Sequence, residues 1–372
     1  MSVVDESEAL HARVRAFAAA APQREAFEAL ALEIAEYQAR YNPGFARLVR
    51  ARGGGLASVD AIPAVPSDAF RLTRVATYPQ ELDVARFATS GTTGSERGIH
   101  PFRTTATYEE LATMFGRRAL VAGNTRYTAV ALAPRLDAPP SSSLGFMMAL
   151  FMRDFDGRPL TQPSEPFDFR ASDRWLLSEA GPDVRGLERA AQIATNRREP
   201  LLLLATSFAL VALLDALASR ALPLPPGSVV MQTGGYKGRT REVPAAELRA
   251  SLARCFDLRE DAIVSEYGMT ELSSQLYEGT LPGASLSGQR GVYLEPAWLR
   301  VTPVHPVTLE PVADGEPGLA RFVDLANVDS AVAMITRDLV RRRDGGVELL
   351  GRAEGAPPRG CSLAVEALLA GK

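Results

Sequence analysis

Hydrophobic positions recur at helical spacing through the first fifty residues. Apolar side chains follow every third or fourth position over 7–20 and 24–50, which predicts helices there, and Gly53–Gly55 ends the run. From there to about residue 290, short continuous apolar runs alternate with helical patterns. This alternation is typical of a mostly parallel sheet with helices on both faces.

The predicted elements follow from that pattern. The runs predict the end of a strand over 86–88, strands over 127–133, 201–206, 228–233 and 262–266, and helices over 108–121, 141–155, 173–195, 208–220 (capped by Ser207) and 244–256. After Gly291 short strands are predicted over 292–300, 306–309, 319–325, 334–336 and 347–350.

These elements predict an α/β fold in four parts. Residues 1–60 form a helical segment packed on the main domain, and 61–290 form an α/β core. Residues 291–352 form a β-rich subdomain. Residues 353–372 form a hinge and a short tail that bears Cys361.

The run Leu201–Ala218 carries one charge, Asp215, and approaches membrane-spanning length. We interpret it as a buried strand followed by a helix, because three prolines follow and Ser207 suits a cap. A net charge of −3 favours neither nucleic acid nor an anionic membrane as partner. The acidic N-terminus without an apolar stretch and the two cysteines predict a cytoplasmic protein.

A loop rich in glycine and hydroxyl groups follows the strand that ends at Ala88. Its backbone N–H groups, hydroxyls and single arginine suit the phosphates of a nucleoside triphosphate. The spacing matches neither a Walker A loop nor a dinucleotide-binding fingerprint. The alternative is a polar surface turn. The residues assigned to this phosphate loop are Thr89, Ser90, Gly91, Thr92, Thr93, Gly94 and Arg97.

Two later motifs favour the nucleotide interpretation. Tyr-Gly-Met-Thr-Glu at 267–271 follows an apolar strand, and Thr-Arg-Asp-Leu at 336–339 precedes Gly-Arg at 351–352. Together with the loop, and in this order, they resemble the adenylate-forming superfamily of acyl-CoA synthetases, adenylation domains and luciferases. The stretches 142–147, 233–238 and 359–363 resemble its acyl-protein synthetase (LuxE) branch.

The resemblance implies binding of ATP and Mg²⁺, with 61–290 as the nucleotide- and acyl-binding core. It implies that Tyr267, with Gly268 beside it, stacks on adenine, and that Thr270 bonds an α-phosphate oxygen. It also implies that Glu271 holds the metal and that Asp338, near Arg352, accepts the ribose hydroxyls. The adenine edge would lie against Gly234, Gly235 and Tyr236.

The chain departs from the superfamily pattern after Arg352, where relatives continue into a further domain that carries a catalytic lysine. We expect that domain to be missing. Of 41 basic residues only Lys237 and Lys372 are lysines, so Lys237 is the candidate replacement for that charge. Glu354 stands where the family has aspartate. By resemblance, Cys361 accepts the acyl group, whereas Cys255 is expected in the core.

The sequence therefore predicts an ATP-dependent acid–thiol ligase. It would form an acyl adenylate, with a fatty acid implied only by resemblance, and pass the acyl group to Cys361 and then to a reductase, transferase or carrier protein. Two alternatives stay open, namely coenzyme A or a carrier-protein thiol as acceptor, and a non-catalytic binding subunit. Of the histidines, His11 is expected at the surface, His100 in a loop and His305 in a structural role.

Overall fold

The computed structural model describes residues 2–20, 24–89, 97–137, 139–160, 168–170, 172–234, 243–353 and 359–369. The helices are α1 (Val3–Ala19), α2 (Arg24–Tyr41), α3 (Pro43–Ala51), α4 (Ala69–Leu72), α5 (Ala106–Leu120), α6 (Ser143–Phe155), α7 (Val184–Arg197), α8 (Ser207–Leu217), α9 (Ala245–Phe256) and α10 (Arg359–Leu369). Single 3₁₀ turns lie at Gln80–Leu82 and Glu260–Ala262.

Most strands are short, and the longest lie near the C-terminus. They are β1 (Val65–Pro66), β2 (Ala85–Ala88), β3 (Ile99–Phe102), β4 (Thr128–Pro134), β5 (Trp175–Ser178), β6 (Gly181–Pro182), β7 (Leu201–Thr206), β8 (Val229–Thr233), β9 (Ile263–Tyr267), β10 (Leu276–Glu278), β11 (Val292–Leu294), β12 (Leu299–Val304), β13 (Gly318–Asp324), β14 (Ala333–Arg343) and β15 (Gly346–Arg352).

The chain folds as two compact units, and each is built from separate stretches of sequence. The terminal unit contains Met1–Ala112, Met269–Gln275 and Leu294–Lys372. The central unit contains Thr113–Gly268 and Leu276–Tyr293. The chain therefore passes from the central to the terminal unit inside the Tyr-Gly-Met-Thr-Glu motif, between Gly268 and Met269.

The central unit contains the predicted parallel sheet. Its strands lie in the order β10-β9-β8-β7-β4-β5-β6, with β4, β7, β8 and β9 parallel and with β10 and β6 antiparallel to their neighbours. Leu201–Leu204 are fully buried, because helices cover a parallel sheet. The core joins β7 and β8 to α7, α8 and α9 through buried leucines such as Leu187, Leu213 and Leu252.

The apolar run that begins at Leu201 is a strand followed by a helix, as predicted. Within the described part of the chain, no helix combines the length and apolar character needed to cross a membrane. The predicted cap is wrong. Ser207 is the first residue of α8, and Thr206 occupies the N-cap position. The Ser207 hydroxyl donates to the Gly234 carbonyl at 2.7 Å instead of capping the helix.

The terminal unit combines helices with an antiparallel sheet. Strands β12, β13, β14 and β15 are neighbours in that order, and β1 pairs with β14 in parallel. Asn42 caps α3, and Pro43 follows at its first position, as helix starts favour. Helix α10 packs against α3 and β1.

His11 is buried, so the expectation of a surface position is wrong. Its Nε2 lies 3.1 Å from the buried carboxylate of Asp329, which also accepts from Ser7 at 2.7 Å and Tyr37 at 2.8 Å. Burial works to raise the pKa of Asp329, but these hydrogen bonds, His11 first, lower it below its usual value. Helical periodicity does not predict the burial of His11, because its partner Asp329 is far away in sequence.

Three further expectations are wrong. The stretch 173–195 begins with β5 and β6, and α7 starts only at Val184, where Asp183 accepts from the Gly186 N–H at 2.7 Å. Residues 306–309 form a turn, with Leu309 at φ 62°. Cys255 is only half-buried at the edge of the central core.

Candidate active site

Thr89 and Gly98, which flank the central part of the phosphate loop, are hydrogen-bonded to each other in the terminal unit. Strands β2 and β3 pair antiparallel, and beyond them Thr89 N–H donates to the Gly98 carbonyl while Gly98 N–H donates to Thr89 Oγ1, both at 2.9 Å. A Cβ on Gly98 would lie 3.1 Å from Thr89 Cγ2, so glycine suits this closure. Arg97 is exposed. Ser90, Gly91, Thr92, Thr93 and Gly94 lie outside the described residues.

Glu271 lies in an acidic environment that the terminal unit builds from distant stretches. It is 9% exposed, and burial is the main reason that the pKa of its carboxyl rises to about 7. The charges of Asp68 and Asp338 raise this pKa further, and Arg352 lowers it. Asp338 and Arg352 are cross-strand neighbours in β14 and β15, which explains how separate motifs reach one carboxylate.

The residues around Glu271 fit a magnesium ion carried by a nucleotide. Among the described residues, no group of three or more His, Cys, Asp or Glu side chains is arranged to hold a metal alone. Mg²⁺ is usually bound by one or two carboxylates together with substrate phosphates. A buried carboxyl beside two further acids suits this use, because a cation would stabilise its ionised form.

The central unit places a second group of polar residues at the carboxyl ends of its parallel strands, where open α/β sheets bind ligands. Thr233 pairs with Glu266 across β8 and β9, and its hydroxyl donates to the Glu266 carboxylate. Burial raises the pKa of Glu266 to about 7. Gly234 has a φ of 69°, which suits glycine at this strand end.

Tyr267 and Gly268 close this group at the end of β9. The Tyr267 ring lies edge-on to Tyr293, with centroids 6.4 Å apart. Outside the described residues lie Gly235, Tyr236 and Lys237. The backbone of Cys361 is part of α10, but its side chain is not described. The predicted residues that the structure brings together are therefore Glu271, Asp338 and Arg352.

Sequence reasoning missed Asp68 as a neighbour of Glu271 and placed His100 wrongly. Asp68 carries no motif, and only the fold brings its charge close to Glu271. His100 lies in strand β3 and is buried, 2% exposed, with its ring facing the Thr270 carbonyl. Residues 100–102 are all buried, so Ile99–Phe102 shows no alternation that would signal a strand, and the proline at 101 argues against one.

Solved structures share this fold. The 2-hydroxyisobutyryl-CoA ligase with 2-HIB-AMP and CoA in its thioesterification state matches with a TM-score of 0.59 at 13% identity, over 95% of this chain and 69% of the ligase chain. Its open conformation matches with a TM-score of 0.58 at 12% identity, over 86% and 73%. Neither a protein-family model nor a curated protein sequence matches the chain.

At this identity the likeness shows the fold. The chain has the mixed α/β architecture of the large N-terminal domain of adenylate-forming ligases, as predicted. The likeness assigns neither a superfamily, nor a branch within one, nor a reaction.

Proposed function

We propose that this protein activates a carboxylic acid with ATP, forming an acyl adenylate. The observation that carries the proposal is the buried Glu271 carboxyl, which lies within electrostatic reach of both Asp338 and Arg352. These residues belong to the two later motifs, whose order after the phosphate loop resembles that of the superfamily. The fold is that of a ligase solved with an acyl-AMP.

The reaction needs positioning and charge neutralisation more than proton transfer. A carboxylate oxygen attacks the α-phosphorus, the bond to the bridging oxygen of the β-phosphate breaks, and pyrophosphate leaves. Glu271 would hold the Mg²⁺, which when bound neutralises phosphate charge. Thr270 would donate to an α-phosphate oxygen, Asp338 would accept from the ribose, and the loop at 89–98 would bind the leaving phosphates.

For the second step we propose transfer to the thiol of Cys361, as in acyl-protein synthetases. The thiolate attacks the acyl carbonyl, a thioester forms and AMP leaves. A partner enzyme or carrier would then take the acyl group. Coenzyme A is the second candidate acceptor, because the solved ligase structures contain it.

Intact-protein mass spectrometry tests both steps. Wild type, Cys361→Ser and Cys255→Ser are incubated with ATP, Mg²⁺ and a panel of carboxylic acids, and released pyrophosphate is measured. Cys255 is a matched control, because burial raises the pKa of its thiol and makes it a poor nucleophile. We expect an acyl mass on wild type and Cys255→Ser that is absent from Cys361→Ser.

Other outcomes separate the alternatives. Pyrophosphate release without a protein adduct would move the acceptor to coenzyme A or a carrier thiol, and adding coenzyme A would then yield acyl-CoA. ATP binding without pyrophosphate release for any acid of the panel would favour a non-catalytic binding subunit. Long-chain, short hydroxylated and aryl acids belong in the panel, because only the resemblance favours a fatty acid.

A further inference from the structure

The backbone of residues 270–274, here called the Thr270 loop, is held by side chains from other parts of the terminal unit. Asn327 Nδ2 donates to the Glu271 carbonyl at 3.0 Å. Asp324 accepts from the Ser273 N–H at 3.1 Å and from Ser274 Oγ at 2.7 Å. The Thr270 carbonyl has a partner of its own in His100, whose Nδ1 lies 2.8 Å away.

The ring of His100 has a defined place and orientation. It belongs to β3 and packs against Phe70 and Phe102, with ring centroids 5.3 Å and 4.4 Å away. Its Nε2 lies 2.9 Å from Ser330 Oγ. Ser330 follows Asp329, whose carbonyl accepts from the Thr77 N–H at 3.0 Å, so the far side of the ring rests on a fixed segment.

These contacts identify the protonation state of the ring. A carbonyl oxygen only accepts, so Nδ1 must carry a hydrogen toward Thr270. Burial is the main reason that the pKa of His100 falls to about 4, which leaves the ring neutral near pH 7. Nε2 is then an acceptor, and the Ser330 hydroxyl donates to it.

We propose that His100, through the hydrogen bond from its Nδ1, is a positioning residue that fixes the Thr270 carbonyl and thereby the side chains of Thr270 and Glu271. The proposal rests on the adenylation proposed above. His100 acts through the loop backbone and does not itself touch the nucleotide. Its effect belongs in the rate of adenylation, because displacements of about 1 Å can reduce rates about a hundredfold.

Two amide variants of His100 each keep one of the two hydrogen bonds of the ring and lose the other. The Asn amide ends near the position of Nδ1, so His100→Asn keeps a donor for Thr270. The Gln amide reaches the position of Nε2, so His100→Gln keeps the partner of Ser330 and loses the donor to Thr270. We expect His100→Gln to lower kcat for pyrophosphate release at least about tenfold with KM for ATP nearly unchanged, and His100→Asn to stay within about threefold of wild type.

Hydrogen exchange gives a readout that does not need the reaction. The Leu272 amide donates to the Met269 carbonyl and the Ser273 amide to Asp324, so both report on the loop. We expect their exchange to accelerate at least about tenfold in His100→Gln and to stay near wild type in His100→Asn. His305→Gln, at an exposed turn, is the control for histidine replacement, and urea unfolding of each variant measures stability.

The outcomes separate the positioning role from the proposed function. Equal exchange and equal kcat for the two amide variants would overturn the positioning role. The positioning role would also be overturned if the loss of kcat in His100→Gln were fully explained by a smaller fraction of folded protein. A wild-type protein that releases no pyrophosphate would refute the proposed function, and the exchange of Leu272 and Ser273 would still decide whether His100 holds the loop.

Discussion

The two buried glutamates Glu266 and Glu271 have different neighbours, so protonation has a different effect at each. Burial raises the pKa of each carboxyl to about 7. Among the described residues, the Thr233 hydroxyl is what offsets this at Glu266, whereas two further carboxylates and one arginine act on Glu271. Protonation of Glu266 therefore concerns stability, and protonation of Glu271 would weaken the cation binding proposed above.

At Glu271 we predict a coupling between pH and magnesium. A metal ligand must lose its proton, so at limiting Mg²⁺ the rate of pyrophosphate release should rise with pH, by up to about tenfold per unit, and level off above about 7. Saturating Mg²⁺ should move this midpoint to lower pH. Glu271→Gln should lower the rate at least about a hundredfold.

Glu110→Gln is the matched control for this prediction, because Glu110 is an exposed carboxylate in the same unit. It should keep both the rate and the midpoint. If the pH midpoint of pyrophosphate release in wild type did not change with Mg²⁺ concentration, Glu271 would not hold the ion, even if Glu271→Gln is inactive.

At Glu266 we predict a loss of stability as pH rises. The folded carboxyl has the raised pKa, so the stability carried by its neutral form is complete below the ordinary value of 4.5 and is lost as pH rises to about 7. Glu266→Gln removes this dependence and still accepts from Thr233. Relative to wild type, the variant should gain up to about 3 kcal/mol between pH 4.5 and 8.

Urea unfolding of both proteins across that pH range measures the difference. Other buried acids titrate in both proteins and cancel in the comparison. Parallel curves for wild type and variant would show that the Glu266 carboxyl is ionised in the folded protein with an ordinary pKa.

At the scale of elements, a buried ion pair joins the end of α6 to β5. Arg174 and Asp156 are fully buried at their side chains, with Nη1 and Oδ2 2.6 Å apart. Asp156 also accepts from the Ala129 N–H in β4 at 3.1 Å. We predict that Asp156→Ala destabilises the protein by about 3–5 kcal/mol, because it leaves the arginine uncompensated.

The double variant Asp156→Leu/Arg174→Met should recover much of that loss, since no buried charge remains. The exposed pair Arg13 and Glu33 is the matched control, and Glu33→Ala should change the free energy of unfolding by less than about 1 kcal/mol. Denaturant unfolding of the single and double variants measures both effects. A double variant no more stable than Asp156→Ala would contradict this account.

Elements built from local pattern were predictable, and those fixed by distant partners were not. The runs at β4, β7, β8 and β9 predicted the parallel sheet because each is buried on both faces. The buried His11 depends on Asp329, and the early part of 173–195 forms strands because Trp175 pairs with Ala131 in β4. No periodicity within a window reports such partners.

At the scale of the molecule, the resemblance predicted that Glu271, Asp338 and Arg352 lie together, but it did not predict their surroundings. Glu271, Asp338 and Arg352 were assigned to one nucleotide by resemblance, and the fold of the terminal unit brings their charges together. Asp68 and His100 join them through chain paths that only the folded structure supplies. The four-part division of the sequence remains a proposal beside the two compact units.

Lys237, the one lysine before the C-terminal residue, gives a prediction that concerns the whole chain. Elsewhere arginine supplies the positive charge, so a lysine here indicates a place where a compact point charge is needed. We predict that Lys237→Ala lowers pyrophosphate release at least about a hundredfold while circular dichroism and the unfolding midpoint stay unchanged. Lys237→Arg should fail to restore the rate, because a guanidinium spreads its charge over a planar fork.

The second half-reaction supplies the internal control. If Lys237 acts only on the α-phosphate and the attacking carboxylate, then Lys237→Ala given a preformed acyl adenylate should still acylate Cys361 at the wild-type rate, measured by intact mass. Loss of both half-reactions would mean that the substitution disturbs adenylate binding. Near-normal pyrophosphate release would remove Lys237 from the mechanism and leave Arg352, the cation already close to Glu271, as the next residue to test.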